Sequence, residues 1–410
     1  MRFQQLTSPV TAKGLEDTAF YRFYPLASLN EVGGEPNRFG VTVEQFHARN
    51  AERQCHWPHT LAATSTHDTK RSEDVRARIN VLSEMPAEWA RAIARWREMN
   101  RRHKVEIDGA EAPDANEEYL LYQTLVGAWP LRRPPDEAGR EEFVSRIQEY
   151  MNKALKEAKV HTSWISPHEE YDEAVREFVR SILKPCDDNR FLPDFVEFQG
   201  ATARAGLFNS LSQTLVKIAS PGVPDIYQGT EIWNFSLVDP DNRRPVDYEH
   251  LAALLASLDA ADTEQSRAAL IADLLREPED GRLKLYVTSR ALGFRRRKGE
   301  LFRSGDYLPL AAVGERAGNV VAFARRHGAG DECVVVAARF FTRLMREGDA
   351  SLTPLGADVW GETAVLPERQ LAGGLYRDVF TGGEFDFREG QPLPLARLLA
   401  GLPLALLERV

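Results

Sequence analysis

Two short apolar runs, each closed by a dense polar cluster, constrain this 410-residue chain more than any other feature. Leu61–Ser65 runs into Thr66-His67-Asp68-Thr69-Lys70-Arg71. Val223–Tyr227, opened by Ser220-Pro221-Gly222, runs into Gln228-Gly229-Thr230-Glu231. A strand whose C-terminal end carries charged and hydroxylic groups, followed by a helix, is the unit of a (β/α) barrel, and the working groups of such barrels gather at that end. About 150 residues separate the two runs, far more than a βα connection needs, so the stretch between them reads as an inserted helical subdomain.

Periodicity supports helices in that stretch. Trp89, Ile93, Trp96 and Met99 fall at helical spacing behind Pro86, which a first helical turn tolerates. Phe143, Ile147, Met151 and Leu155 repeat the pattern, as do Val175, Phe178, Val179 and Ile182. A further helix is expected over 198–219, with Ala205, Phe208, Leu211, Leu215 and Ile218 on one side. The segment 108–140 is weaker, with a short helical stretch Tyr119–Val126 between Asp108-Gly109 and Pro130–Pro135. Past residue 270 the pattern changes. Leu283–Thr288, Val320–Ala324, Cys333–Ala338 and Tyr376–Phe380 read as strands, with Thr381-Gly382-Gly383 as a turn, so a β-sandwich appendage is expected.

Composition narrows the function classes. Asp plus Glu (61) outnumber Lys plus Arg (52), a formal charge of −9, which argues against nucleic acid or an anionic membrane as partner. The basic run Phe294-Arg295-Arg296-Arg297-Lys298 is accordingly read as a solvated face. The three cysteines, Cys55, Cys186 and Cys333, are scattered without C-x-x-C spacing, so no disulfide framework or zinc site is indicated. His56-Trp57-Pro58-His59 offers two histidines and no third ligand, and neither a metal nor a cofactor is expected. With no long apolar run and no signal-peptide pattern, the default compartment is the cytoplasm.

The cluster 65–74 carries the chemistry. A strand end offering His67 then Asp68 aims an imidazole and a carboxylate into one pocket, with Lys70 and Arg71 near enough to keep the Asp ionised. The bland alternative is a helix start: Ser72 caps, Glu73 and Asp74 fill the first turn, and the rest is a solvated loop.

Thr66-His67-Asp68 resembles the fourth signature region of the α-amylase superfamily, at the end of its seventh barrel strand. Pro221-Gly222-Val223-Pro224-Asp225-Ile226-Tyr227-Gln228-Gly229-Thr230-Glu231 resembles the eighth-strand signature, and Asp239–Asp247 the loop that follows it. Within the superfamily, Ala12–Arg22 and His67–Asp74 are similar to the maltooligosyltrehalose synthases. The resemblance covers essentially the whole chain but only the later part of such an enzyme. It implies an α/β chain: later strands of a (β/α)8 TIM-type barrel with a helical insertion, followed by a C-terminal all-β sandwich domain. The barrel strand 6 and 7 region would occupy 1–75, with the sixth strand at Lys13–Arg22. The insertion would occupy 76–197, a barrel helix and strand 8 residues 198–270, and the sandwich 271–410.

The resemblance also implies intramolecular transglucosylation of maltooligosaccharides, with Asp68 as the third of three catalytic carboxylates and His67 as a hydroxyl-binding histidine. Lys70 matches a donor to the acceptor glucose, and Lys13 and Glu16 are weaker candidates that read equally as an ion-paired strand end. Tyr227 and Glu231 either meet substrate or brace a loop that Gly222, Pro224 and Gly229 shape. Arg243 reads equally as a sugar contact and as an ion-pair partner of Asp239 or Asp241. Trp57, Tyr21 and Trp233 are candidate sugar platforms, each more commonly a core residue. The nucleophile's signature, Gly-Phe/Leu-Arg-x-Asp, is absent: Gly293-Phe294-Arg295 continues into Arg296-Arg297. The chain alone is therefore expected to be inactive. The alternative is a glucan-binding or complementing subunit, with an N-terminal half supplying the remaining barrel.

Overall fold

The computed structural model describes residues 2–132, 136–328, 330–345, 353–367, 371–388 and 390–410, so part of the Pro130–Pro135 segment lies outside the described residues. The chain divides into two units. One comprises 1–39, 67–206 and 235–244; the other comprises 40–66, 207–234 and 245–410.

The first unit is mainly helical, and its helices follow the sequence pattern closely. Pro86–Asn100 starts on its proline, and Ala115–Ala128, Glu137–Ala158 and Glu169–Leu183 cover the expected periodic stretches. The helix expected from 198 begins earlier and runs Phe191–Ala219, its residues up to 206 belonging to this unit. Its packing centre is aromatic. Trp96 is fully buried, with the rings of Trp89, Tyr122, Phe191, Phe195 and Phe198 centred 5.3–5.7 Å away. These rings meet mostly edge to face, the geometry their quadrupoles favour. A small hairpin, Val105–Ile107 with Ala110–Ala112, interrupts the helices.

The expected sixth strand is not formed. Lys13–Arg22 is a π-helical turn (Ala12–Glu16) followed by a 3-10 turn (Ala19–Tyr21). Its backbone groups are satisfied locally, by Asp17 N–H to Ala12 O and Tyr21 N–H to Thr18 O, which leaves them unavailable to a strand ladder. Gly14 and three charged residues within five positions also give it no two-residue alternation.

In the second unit the two apolar runs meet. Leu61–Ala62 pairs in parallel with Val223–Pro224, with Leu61 opposite Val223. Each strand is only two residues long, shorter than the runs suggested. Eight further strands form one hydrogen-bonded series: Glu384–Phe387, Gly374–Asp378, Leu404–Arg409, Asp331–Ala338, Val320–His327, Asp306–Val313, Ala364–Leu366 and Leu393–Pro394. Every pairing in the series is antiparallel. Asp306–Val313 changes partner along its length. Its first half pairs with Val320–His327 and its last three residues with Ala364–Leu366.

One expected strand is a helix. Leu283–Thr288 lies inside Arg282–Arg297. All six residues are buried, Lys284 included, so the run has no polar face for a period to show. Ala291 and Phe294, buried further along, complete a helical stripe. The residues after 270 therefore begin with helices, Arg267–Arg276, Arg282–Arg297 and Gly299–Ser304, and turn to strand at Asp306. The basic run is a bonded structural element. Arg295 donates to the carbonyls of Ile218 and Gly222, while Arg297 and Lys298 pair with Glu408. Among the described residues no helix is long and apolar enough to cross a membrane.

Candidate active site

The loop from His67 to Arg71, in the first unit, is held by its backbone. Glu31, nearly buried, receives the N–H of Lys70 on one carboxylate oxygen (2.7 Å) and that of Arg71 on the other (3.2 Å). Asn242 donates its side-chain amide to the carbonyl of His67 (3.0 Å), Arg71 bridges to Leu237, and Ser72 N–H bonds Ser236 O at 2.9 Å. Beyond the loop Ser72 caps the helix Glu73–Val81 by accepting from Val75 N–H. The cap of the bland reading is thus present, on a loop fixed from three sides. Between these ties His67 and Asp68 are exposed, while Thr69, Lys70 and Arg71 are buried.

Lys70 turns under the loop. Its ammonium, with only 6% of the side chain exposed, donates to Asp17 Oδ1 at 2.7 Å and lies 6.0 Å above the Tyr21 ring. Asp17 also holds Lys13, through its other oxygen. Partial burial works to raise the pKa of Asp17, but the hydrogen bonds from Lys13 and Lys70 outweigh it and hold the group below the usual carboxylate range. Lys13 is raised in return, first by its bond to Asp17 and further by the charges of Glu157 and Asp68, which puts Lys13 and Asp68 within electrostatic reach of each other. Arg71 points away, to Ala27 O and the Tyr150 hydroxyl (2.6 Å).

The loop 239–244 belongs to the same unit and meets the His67 loop through Asn242. Arg243 lies 3.7 Å from Asp239 and is half exposed. Asp239 bonds Lys153 at 2.7 Å, and Asp241 receives Arg146 through two bonds of 2.8 and 3.0 Å. Burial favours a raised pKa for Asp239, yet Lys153 first, then Arg243 and Lys70, hold it low.

Among the expected site residues, His67, Asp68, Lys70, Lys13 and Arg243 thus gather within the first unit. Glu16, next to Asp17 in the chain, accepts the N–H of Gly33 at 3.0 Å. Tyr227 and Glu231 belong to the second unit, where the Tyr227 carbonyl closes the turn by accepting from Thr230 N–H (2.9 Å). The bracing expected of Glu231 is not made by its Oε2, which is buried without a hydrogen-bond partner. Tyr21 and Trp233 are core residues, and Trp57 is 70% exposed. A cavity of about 790 Å³ lined by Trp129, Phe143, Leu183 and Cys186 shares no residue with the His67 loop. Asp17, Glu31, Arg146 and Lys153 were not singled out by the sequence. Asp17 alone had a signal, standing four residues from Lys13 inside the Ala12–Arg22 motif.

Chemically, the loop presents an imidazole and a carboxylate on a rigid backbone, beside an ammonium whose counter-ion is fixed. Such a set can hydrogen-bond a polyhydroxylated ligand and oppose positive charge developing on it.

Comparison with known proteins agrees with this direction. No protein-family model matches the chain. Two Mycobacterium tuberculosis proteins, from strains CDC 1551 and H37Rv, are each named maltooligosyl trehalose synthase and are 39% identical to it over 412 aligned residues. The alignment takes in 100% of this chain and 45% of each relative. The solved maltooligosyltrehalose synthase of Arthrobacter ramosus superposes with a TM-score of 0.79 at 35% identity, over all of this chain and 46% of that one. A Sulfolobus tokodaii structure described as a hypothetical maltooligosyl trehalose synthase gives 0.71 at 29%, over 99% of this chain and 46% of its own. The chain spans about half the length of the curated relatives it matches.

Proposed function

We propose, from a chain homologous over its whole length to maltooligosyltrehalose synthases, that it is the acceptor-holding part of such an enzyme. The reaction is intramolecular transglucosylation, in which the reducing-end α-1,4 bond of a maltooligosaccharide becomes an α,α-1,1 bond, as trehalose biosynthesis requires. The released glucose must stay bound while it turns, and water must stay out, or hydrolysis takes over. The observation that carries the reading is the clamped loop, with His67 and Asp68 exposed at its tip and Lys70 fixed beneath by Asp17.

In this reading Asp68 is the third carboxylate, gripping sugar hydroxyls more tightly as positive charge develops at the anomeric carbon. His67 holds a hydroxyl at the cleavage point. Lys70, oriented by Asp17, donates to the acceptor glucose, with Lys13 and Glu16 nearby on the same segment. Arg243 is held at the loop by Asp239, and the Tyr227 carbonyl closes the turn of the second unit next to Glu231. The parallel pairing of Leu61–Ala62 with Val223–Pro224 supports their assignment as strands seven and eight of a TIM-type barrel. The change of partner along Asp306–Val313 supports a two-layered β unit after it.

A nucleophile and an acid/base carboxyl pair is what retaining transfer at a glycosidic bond requires. The sequence lacks the nucleophile's signature, so the chain alone is assigned no turnover. A second reading is a complementing subunit that works with a separate N-terminal half; the 45% share of the relatives that the chain spans suits both readings. Incubation with maltopentaose, following reducing ends, separates the readings. The chain alone should leave the reducing ends unchanged. Addition of a fragment carrying the missing barrel strands and the Gly-Phe/Leu-Arg-x-Asp signature should make them disappear. An increase would mean hydrolysis and would refute the synthase assignment.

A further inference from the structure

A second polar cluster lies in the helical unit, among residues to which the proposed function gives no role. Asp114 caps the helix Ala115–Ala128, and Glu117 returns the bond in a capping box. Each carboxylate uses one oxygen for this. Asp114 Oδ1 accepts from the N–H groups of Asn116 and Glu117, both at 2.8 Å. Glu117 Oε2 accepts from Asp114 N–H (3.0 Å) and the Tyr171 hydroxyl (2.5 Å). The other two oxygens receive no backbone N–H, and Asp114 Oδ2 faces His161 Nε2 at 3.0 Å. One ligand atom from each of Asp114, Glu117 and His161 falls within 4.8 Å of the other two.

Charge is the second observation. Glu117 is 6% exposed, yet neither it nor Asp114 has a Lys or Arg ion-pair partner among the described residues, and the basic side chain that faces Asp114 is His161. The supports are in place as well. Tyr171 stacks on the His161 ring, 4.5 Å between centroids and 23° between planes, and its hydroxyl fixes Glu117. Groups that orient ligands in this way are typical of metal sites.

We infer that Asp114, Glu117 and His161 bind one divalent cation of the zinc class, through Asp114 Oδ2, Glu117 Oε1 and His161 Nε2. Metal–ligand bonds of about 2.0–2.2 Å put tetrahedral ligands about 3.3–3.6 Å apart, between the 3.0 Å of the His161–Asp114 pair and the 4.8 Å within which all three ligand atoms lie. The capping bonds survive, because they use the opposite oxygens. Asp114 and His161 are partly exposed, which leaves a side open for water as a fourth ligand. The ion ties the start of the helix to the segment after Glu137–Ala158, so it acts as a structural staple.

Cobalt(II) titration of the whole chain, free of any affinity tag, reads this site through its visible absorption. The expected result is saturable binding of one ion at micromolar concentration, displaced by zinc, with a rise in the thermal midpoint. Asp114→Asn keeps the cap, because Asn caps as well as Asp, and His161→Ala alters a partly exposed residue. Each should weaken cobalt binding at least about tenfold while leaving the metal-free midpoint near wild type. Absence of saturable binding overturns the inference, as does binding that either variant leaves unchanged.

Discussion

Asp241 shows how a single side chain ties the candidate site to the inserted helices. Burial works to raise its pKa, but the two bonds and charge of Arg146, with the Leu237 N–H at 2.7 Å, hold it below the usual carboxylate value. A carboxyl whose folded pKa is depressed contributes stability that is complete above its unfolded value, near 3.9, and is lost as pH falls through the folded one. Asp241→Asn should therefore cost about 1–3 kcal/mol at neutral pH and flatten the acid limb of the stability curve. Urea midpoints measured from about pH 7 down to about pH 3 check this, and a variant that parallels wild type throughout would refute it. Asp241 was visible in the sequence within the Asp239–Asp247 run. Its partners were not, because Arg146 lies 95 residues away and no local spacing marks a pair made across the fold. Glu31 escaped for the same reason, acting on backbone groups 39 and 40 residues further on.

Elements were legible where a period was visible and illegible where burial erased it. Pro86–Asn100 and Glu169–Leu183 alternate buried and exposed faces, and their stripes showed plainly. Leu283–Thr288 is buried all round, so its β-like composition misled. Lys13–Arg22 was assigned to a strand by resemblance alone, and its charged, glycine-containing sequence closes turns instead. The two apolar runs do pair in parallel, but as strands they shrink to two residues each. The polar end after Leu61–Ala62, the feature that drew attention, is a loop held by the side chains of Glu31 and Asn242. The helical unit's stability should depend heavily on its aromatic centre. Trp96→Ala removes a fully buried ring and its Nε1 bond to Asp194, and should cost about 3–5 kcal/mol. Chemical denaturation followed by far-UV circular dichroism reads that loss directly, and a change below about 1 kcal/mol would show that the centre is not as tightly packed as described.

At the scale of the molecule, the chain is a helical unit that carries the candidate site and a second unit built on an antiparallel sheet. The sheet's middle strand, Asp331–Ala338, is buried along nearly its whole length. Its neighbour Val320–His327 contributes Arg325, fully buried and donating to Asp306 O, Gly305 O and Gln54 Oε1. The central claim is that the loop at Asp68 grips a maltooligosaccharide, a property the chain should have without turnover. Calorimetric titration with maltopentaose tests it most directly. The account predicts saturable binding that Asp68→Ala and His67→Ala each abolish while the fold is unchanged. Binding that both variants retain, or no binding to the folded chain at all, would contradict it.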